Sequence, residues 1–208
     1  MEGDVQIIKA GQRVQPSKQY PSLCLVSSGY IKRYLVSPDK HVSIQSIYGP
    51  GDIFPLTPIF KLVFDQHIYE GPTKYHYGAI TDVELYSIEN KSLLRTIKND
   101  PSLYKDLFAQ AGRRLQSNIQ QLENAGLKDP YRRVCHQLAF LARHFGILNQ
   151  EGVTIPLPLS VEDLAALLNL TSEDVASSLK RLKQAGLIKG NLKLQMPDMQ
   201  TLVNQAYS

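Results

Sequence analysis

The run LSVEDLAALLNLTSEDVASSLKRLKQAGLIKG, residues Leu159 to Gly190, decides how the chain is read. Ser160 stands three residues before Asp163, and Thr171 three before Asp174. Each hydroxyl can accept an N–H left over at a helix start, while the acid complements the positive end of the helix dipole. Leu164, Ala165 and Leu168 make one apolar stripe at helical spacing, and Val175, Leu179 and Leu182 make another. Between the stripes Asn169 occupies a tight turn, where a positive φ is needed and Asn tolerates it next best after Gly. Gly186 stops the second helix, and LKLQM at 192–196 alternates like a short wing strand. Two packed helices of any α-rich domain would share the stripes. The two caps, the short turn and the following strand favour a winged helix-turn-helix, which implies duplex DNA as partner. The residues placed to meet DNA are Ser160, Thr171, Ser172, Glu173, Ser177, Lys180, Arg181 and Lys189.

Upstream of this unit, Lys128-Asp129-Pro130 breaks one helix and caps the next, in which Val134, Leu138, Leu141, Ala142 and Phe145 form a stripe ended by Gly146. The preceding helix is expected to start at Asn99-Asp100-Pro101 and to run to about Leu127. Phe108, Leu115 and Leu122 recur every seven residues, with Ala111, Asn118 and Ala125 three further on. That is a heptad seam. A helix lying on its own domain would also bury a stripe, but Asn118 on the seam would then need a partner. Across a two-fold axis two Asn118 side chains can serve each other, so the six residues are read as a homodimer interface. The hinge falls at Leu127 to Asp129. The domains are therefore 1–127, with the dimerisation helix at about 99–127, and 128–208.

From about Val5 to Ile88 the pattern is β. LCLVSS, YIKRYLV, VSIQSIY and VELYSI are separated by Ser28-Gly29, Ser37-Pro38-Asp39, Gly49-Pro50-Gly51-Asp52 and Thr81-Asp82. Short strands with such punctuation suggest a small β-roll, giving an α+β chain overall. Pro55 to Tyr77 breaks the rhythm and reads as a long loop around Phe60, Phe64, Tyr69, Tyr75 and Tyr77, a core cluster before it is a pocket.

Composition is consistent with this reading. The 208 residues suffice for two small domains, and the net charge of +4 is mild for a nucleic-acid binder. No signal peptide or long apolar run is seen, which points to a cytoplasmic protein with no membrane partner. Cys24 and Cys135 lie in apolar surroundings and read as buried free thiols.

In order along the chain, SSGYIKRYLVSPD, YGPGDIF, TDVELYSI, GRRLQSNIQQLENAGLKD and the winged helix-turn-helix resemble the cyclic-AMP receptor protein/FNR family of bacterial transcription regulators. The resemblance covers nearly the whole chain. It implies a cyclic-nucleotide-binding-like β-roll, a long dimerisation helix, two recognition helices in successive major grooves, RNA polymerase as a partner, and an effector in the β-roll. An effector is expected near Phe54, Lys74, Tyr75, Tyr77, Arg113 and Asn118.

Three departures from the family pattern bear on function. Cyclic-AMP-binding members carry Gly-Glu after the Gly-Asp-Ile-Phe turn, Arg-Ser before the next strand and Thr-Ser on the long helix; this chain has Pro55-Leu56, Thr73-Lys74 and Asn118-Ile119. Proline has no N–H to donate, and Leu56 cannot bond a ribose hydroxyl. These replacements argue against cyclic AMP. The iron–sulfur sensors need four cysteine ligands, and the chain has two cysteines. Haem would need an axial ligand such as His41, His67 or His76, each more readily a satisfied surface or core residue. No cofactor and no metal site is expected. The family's recognition helix opens Ser/Thr-Arg-Glu-Thr-Val-Ser-Arg, whereas this one reads Thr171-Ser172-Glu173-Asp174-Val175-Ala176-Ser177. Loss of an Arg that reads guanine removes about 1–3 kcal/mol of discrimination per contact. Glu173 can accept from cytosine N4, and Lys180, Arg181, Lys189 and Lys193 remain for the backbone.

The leading expectation is a dimeric, sequence-specific DNA-binding transcription regulator not controlled by cyclic AMP. The competing one is a ligand-sensing or protein-interaction dimer whose winged helix no longer reads DNA. A cupin-type metal enzyme would need an H-x-H pair, which does not occur, and no catalytic set can be assembled from spacing. No enzymatic activity and no catalytic residue are expected.

Overall fold

The computed structural model describes residues 4–15, 22–57, 75–191 and 193–207. Its elements are β1 (Asp4–Ile8), β2 (Arg13–Val14), β3 (Ser22–Ser28), β4 (Ile31–Val36), β5 (Val42–Tyr48), β6 (Ile53–Phe54), β7 (His76–Ala79), β8 (Val83–Glu89), α1 (Asn90–Asn99), α2 (Leu103–Gly126), α3 (Pro130–Phe145), β9 (Ile147–Asn149), β10 (Gly152–Thr154), α4 (Val161–Leu168), α5 (Ser172–Gln184), β11 (Gln195–Met196) and α6 (Met199–Tyr207). They form two compact units, Met1–Lys40 with Gln45–Gln116, and His41–Ile44 with Ser117–Ser208.

The first unit is built on two four-stranded sheets, ordered β1-β8-β3-β6 and β2-β7-β4-β5. Alternation decides which side chains go inward. In β8 Val83, Leu85 and Ser87 are buried while Glu84 is exposed, and in β5 Ile44, Ser46 and Tyr48 are buried in the same period of two. Both sheets contribute to one core, in which Val14, Cys24, Val26, Ile31, Tyr48, Phe54, Ala79, Val83 and Leu85 pack together. Burying each large apolar side chain of this set favours folding by about 1.5–3 kcal/mol. Gly29 links β3 to β4 at φ +81, and a Cβ there would sit 2.1 Å from the Asp82 carbonyl oxygen, so only glycine fits. A second cluster, Leu23, Leu93 and Ile97, seats α1 on the roll, and Ile53, Leu56, Ile88, Leu103, Tyr104 and Leu107 pack against it.

The long helix departs from expectation at its start. Pro101 lies in a turn where Asp100 accepts the Ser102 N–H at 3.1 Å, and helix α2 begins at Leu103. The preceding residues form the separate helix α1. Between α2 and α3, residues 127–129 are non-helical, Asp129 accepts the Tyr131 N–H at 3.0 Å, and Pro130 opens α3. The division between the two compact units falls earlier, within α2 between Gln116 and Ser117. The end of α2 is tied to α3 through Asn124, which explains why these residues group with the C-terminal elements.

In the second unit α3, α4 and α5 pack around Val134, Leu138, Leu141, Leu164, Leu168, Val175 and Leu182, all nearly solvent-free. The wing is a three-stranded sheet ordered β11-β10-β9. Leu192 of the expected strand LKLQM lies outside the described residues; of the rest Gln195–Met196 are regular, extended by a bridge between Lys189 and Gln195. No helix among the described residues is long and apolar enough to cross a membrane.

Candidate nucleic-acid interface

Two capped helices with a left-handed turn between them build the helix-turn-helix. Ser160 Oγ accepts the Asp163 N–H at 3.0 Å, and Thr171 Oγ1 accepts the Asp174 N–H at 3.1 Å while donating to the Asp174 carboxylate at 2.7 Å. Asn169 ends α4 at φ 52, ψ 49, and the N–H groups of Asn169 and Leu170 both reach the Ala165 carbonyl. Arg133 donates to the Leu168 carbonyl oxygen, closing another free acceptor at that end. Gly186, at φ 70, turns the chain after α5, and the Leu187 N–H returns to the Leu182 carbonyl at 3.0 Å. Glu173 and Asp174 sit in the first turn of α5 and Arg181 and Lys183 in the last, both in the sense the helix dipole favours.

This frame sorts the expected DNA-contacting residues into two groups. Val175, Ser178 and Leu182 form the buried face of α5. Ser172, Glu173, Ala176, Ser177 and Lys180 lie exposed on the other side, at the spacing of one helical face, and Lys189 is exposed beside the wing. Ser160 and Thr171 are engaged as caps, so their hydroxyls are committed within the protein. Arg181 places its guanidinium carbon 3.9 Å from the centre of the Tyr131 ring, a cation–π contact that holds it on its own domain. Lys183, which the sequence did not single out, donates to Asn191 Oδ1 at 2.7 Å.

A polar knot at the hinge was not foreseen. Asn124 is buried, donates to the Arg133 carbonyl oxygen at 2.8 Å, and accepts from Arg133 Nε at 3.2 Å. Its amide nitrogen is 3.3 Å from His136 Nδ1, so that nitrogen is the acceptor and the proton sits on Nε2. Among the described residues Nε2 meets no hydrogen-bond partner, and it lies 3.8 Å from a Glu123 carboxylate oxygen, beyond hydrogen-bond reach. Burial lowers the His136 pKa, against a smaller opposing pull from Glu123.

Of the residues expected near an effector, Lys74 lies outside the described residues. Phe54 is fully buried, and Tyr77 is half-buried against it with ring centres 5.0 Å apart. Tyr48 completes the aromatic group, 5.0 Å from Phe54 and 6.3 Å from Tyr77. Burial, with Tyr48 beside it, pushes the Tyr77 hydroxyl up to about 12. Tyr75 is exposed and carries the Arg33 guanidinium 4.5 Å from its ring centre. Arg113 and Asn118 are exposed on α2. It is the neighbouring Arg114 that reaches the aromatic group, 4.9 Å from the Tyr48 ring centre. Leu56, at the position where cyclic-AMP-binding relatives of the resembled family carry Glu, packs into the apolar cluster under α1. Cys24 and Cys135 are buried free thiols, as expected, and burial raises both, Cys135 to about 11. Among the described residues no three or more His, Cys, Asp or Glu side chains are grouped so as to hold a metal ion.

Helix α2 has two unlike faces. Leu103, Leu107, Gln110, Arg114, Ser117, Gln121 and Asn124 are shielded to varying degrees. The opposite face exposes Phe108 at 59%, Leu115 at 61%, Ile119 at 46% and Leu122 at 74%. Asn118 and Ala125 are exposed alongside them and Ala111 is half-buried.

Residues 132–204 match the family of Crp-like helix-turn-helix domains. The chain is 27% identical over 167 residues to a CRP-like cAMP-activated global transcriptional regulator of Mycobacterium tuberculosis, covering 80% of this chain and 71% of that one. It is 28% identical over 167 residues to the nitrogen fixation regulation protein FixK of Azorhizobium caulinodans, covering 79% and 62%. Among solved structures, FixK2 from Bradyrhizobium japonicum aligns with a TM-score of 0.78 at 20% identity over 99% of this chain and 98% of that one. A CooA mutant from Carboxydothermus hydrogenoformans aligns at 0.75 and 19% identity, over 98% and 88%.

Proposed function

Because the chain belongs to the CRP/FNR family of DNA-binding transcription regulators, we propose that it works as a homodimer that reads a two-fold symmetric duplex site without control by cyclic AMP. The observation that carries this is α5 itself. Its start is fixed by the Thr171 cap and its apolar face by burial of Val175, Ser178 and Leu182, while Ser172, Glu173, Ser177 and Lys180 are presented together to solvent. A rigid helix with polar groups on one exposed face is what major-groove reading requires. Glu173 accepts from a cytosine amino group, Ser172 and Ser177 bond bases or phosphates, and Lys180, Lys189 and Lys193 contact the backbone. Phosphate contacts position the protein, and the few base contacts specify the sequence.

The exposed row Phe108, Leu115, Ile119 and Leu122 supports the dimer. A second copy of the helix across a two-fold axis would cover it and bring the Asn118 side chains together. Pro55 and Leu56 support independence from cyclic AMP, since they stand where the resemblance puts the Gly-Glu pair of cyclic-AMP-binding members, and Pro has no N–H and Leu no polar side-chain atom to offer a ribose. The protein is read as cytoplasmic, as a partner of RNA polymerase, and as having no catalytic activity.

A second reading is favoured by Arg181. It is stacked on Tyr131, and with no Arg at positions 172 and 177 the domain offers no unengaged guanidinium along the exposed face of α5. A protein-interaction or ligand-sensing dimer that has lost specific reading fits that observation. Selection of bound fragments from randomised duplex DNA by the purified protein decides between the two. Recovery of a palindrome with half-sites about one helical turn apart supports specific reading. A flat recovery with intact folding supports the second.

A further inference from the structure

One amide fastens the last turn of α2 to α3. The Asn124 nitrogen donates to the Arg133 carbonyl oxygen at 2.8 Å and reaches His136 Nδ1 at 3.3 Å, while its oxygen accepts from Arg133 Nε at 3.2 Å. Arg133 passes the tie on, because its Nη2 donates to the Leu168 carbonyl oxygen at the end of α4. His136, on α3, is 3% exposed. Asn124 faces its Nδ1 and Glu123 lies 3.8 Å from its Nε2, both from α2. Tyr207, from α6, stands edge-on with ring centres 5.7 Å apart, and Arg143, on α3 itself, acts at longer range. This arrangement admits one protonation state of the ring. A proton on Nδ1 would turn that acceptor into a donor aimed at an NH2 group. Turning the amide over does not repair the fault. It would set the Asn124 oxygen against the Arg133 carbonyl and the Asn124 nitrogen against Arg133 Nε, two opposed pairs for one bond gained. The imidazolium would also be a buried charge with no acceptor in hydrogen-bond reach among the described residues.

We infer that His136 is a proton sensor: neutral, its Nδ1 holds Asn124 in place and keeps the end of α2 on α3, and protonated, it expels the Asn124 amide and opens that joint. The step is one proton taken from solvent by Nδ1, and only hydrogen bonds break. Opening wets the ring, and water solvates the imidazolium, so the open joint takes up the proton more readily than the closed one. In the closed joint burial lowers the His136 pKa below its ordinary 6.5, and the pull of Glu123 opposes this more weakly. The closed joint is therefore favoured above pH 6.5 and loses that advantage as pH falls from there toward the value of the closed state. A histidine is the side chain suited to read such a change. Arg133 carries the event onward. Its Nε loses an acceptor when Asn124 leaves, while its Nη2 is still bound at the end of α4, the first helix of the helix-turn-helix. Weaker duplex binding at acid pH follows. That consequence rests on the reading of α5 as a recognition helix, whereas the opening of the joint does not.

The test follows the full-length protein from about pH 7.5 to about pH 5 by two methods. NMR of the histidine ring protons, with the His136 signal identified by its loss in His136→Gln, gives the pH at which this ring takes its proton. Hydrogen exchange of the α2–α3 joint, residues 117–133, is read by mass spectrometry, each rate divided by the intrinsic rate at that pH. The expected midpoint lies below 6.5, and normalised exchange of the joint rises as pH falls toward it. The rise should reach about ten-fold for each pH unit between the midpoint and the ordinary histidine value, while strand β8 stays flat. His136→Gln has no proton to take and should abolish the rise. Glu123→Gln keeps the ring and the Asn124 contact but removes the carboxylate that favours the proton, so midpoint and exchange transition should move together to lower pH. Asn124→Asp puts an acceptor opposite Nδ1 and should raise the midpoint. A His136 that served only packing would leave the exchange transition where it was when the midpoint moved, and that result overturns the sensor. A joint whose exchange is flat while His136 titrates overturns it too, as does a midpoint at or above 6.5. Duplex selection at both ends of the range separates the two readings. An exchange transition with no palindrome recovered at either pH sinks only the DNA reading, and a palindrome recovered from a joint that never opens sinks only the sensor.

Discussion

Glu173 is the one charged side chain of the family's recognition sequence that this chain keeps, and it is exposed at the first turn of α5. If it accepts from cytosine, Glu173→Ala should relax preference at a single C·G pair and leave non-specific binding almost unchanged. Lys180→Ala should weaken all duplexes alike and lower the salt slope by about 1. Gel shifts on matched and singly substituted sites at two salt concentrations check both. An unaltered preference would leave Glu173 serving only the helix dipole. His136 supports a second prediction, on stability. Around its ring stand Asn124, Glu123 and Tyr207, with Arg143 acting at longer range. Because burial lowers its pKa from 6.5, the folded chain binds this proton less readily than the unfolded chain. The favourable contribution is therefore complete above pH 6.5 and is lost as pH falls through that value toward the folded pKa. Urea unfolding at about pH 7 and about pH 5 should show a loss that His136→Gln reduces; equal losses would remove His136 as the cause. Asp82, Asp100 and Asp198, whose pKa values are held down by hydrogen bonds, lose their contributions only at lower pH. At this scale the sequence was an uneven guide. The caps at Ser160 and Thr171 were legible because their hydrogen bonds are local. Arg33 and Arg114 were not, because a strand arginine and one of two adjacent helix arginines look solvated until the fold fixes the phase.

Helices and strands were most legible where a period and a boundary signal agreed. Helix α5 has Thr171 before it, Gly186 after it and an apolar stripe between. Helix α1 has the stripe, with Leu93 and Ile97 buried, but Glu89 at its start makes no side-chain cap and no acid lies in its first turn. Without a boundary signal it was not read from the sequence, which placed the first helix start at Asn99-Asp100-Pro101. Strand β7, HYGA, is short and follows an irregular stretch, so only its pairing with β2 and β4 defines it. For α5 the two sources of stability can be separated by substitution. Thr171→Ala removes the cap and should cost about 1 kcal/mol. Leu182→Ala empties a fully buried position and should cost about 2–5 kcal/mol. Thr171→Ser keeps the acceptor and should cost much less than Thr171→Ala. Urea unfolding gives the three values. If Thr171→Ala and Thr171→Ser prove equal, the cap is not what fixes the start of α5.

For the molecule as a whole, the apolar face of α2 and the reading face of α5 make linked demands. A palindromic site is useful only to a protein that presents two recognition helices with matching symmetry. Large apolar side chains exposed on one helix face, Leu115, Ile119 and Leu122 among them, are an unfavourable feature of a monomer and a favourable one of a symmetric pair. The parent is therefore expected to be a dimer at micromolar concentration in sedimentation. Leu115 lies at the middle of the exposed row, so Leu115→Glu would bury two unpaired carboxylates near the two-fold axis and should shift the protein to monomer. Leu115 is largely exposed in the single chain, so the substitution should leave the fold of each unit intact, which circular dichroism can verify. Specific binding to a palindrome should then fall steeply, because each half-site must be held without help from the other. Binding to random duplex, supplied by Lys180, Lys189 and Lys193 through phosphates, should fall much less. Leu115→Gln, lacking the charge, should weaken the dimer to an intermediate degree. A monomeric parent would remove the dimer reading. A Leu115→Glu variant that remains dimeric and still selects the palindrome would place the two-fold contact elsewhere than on this face of α2.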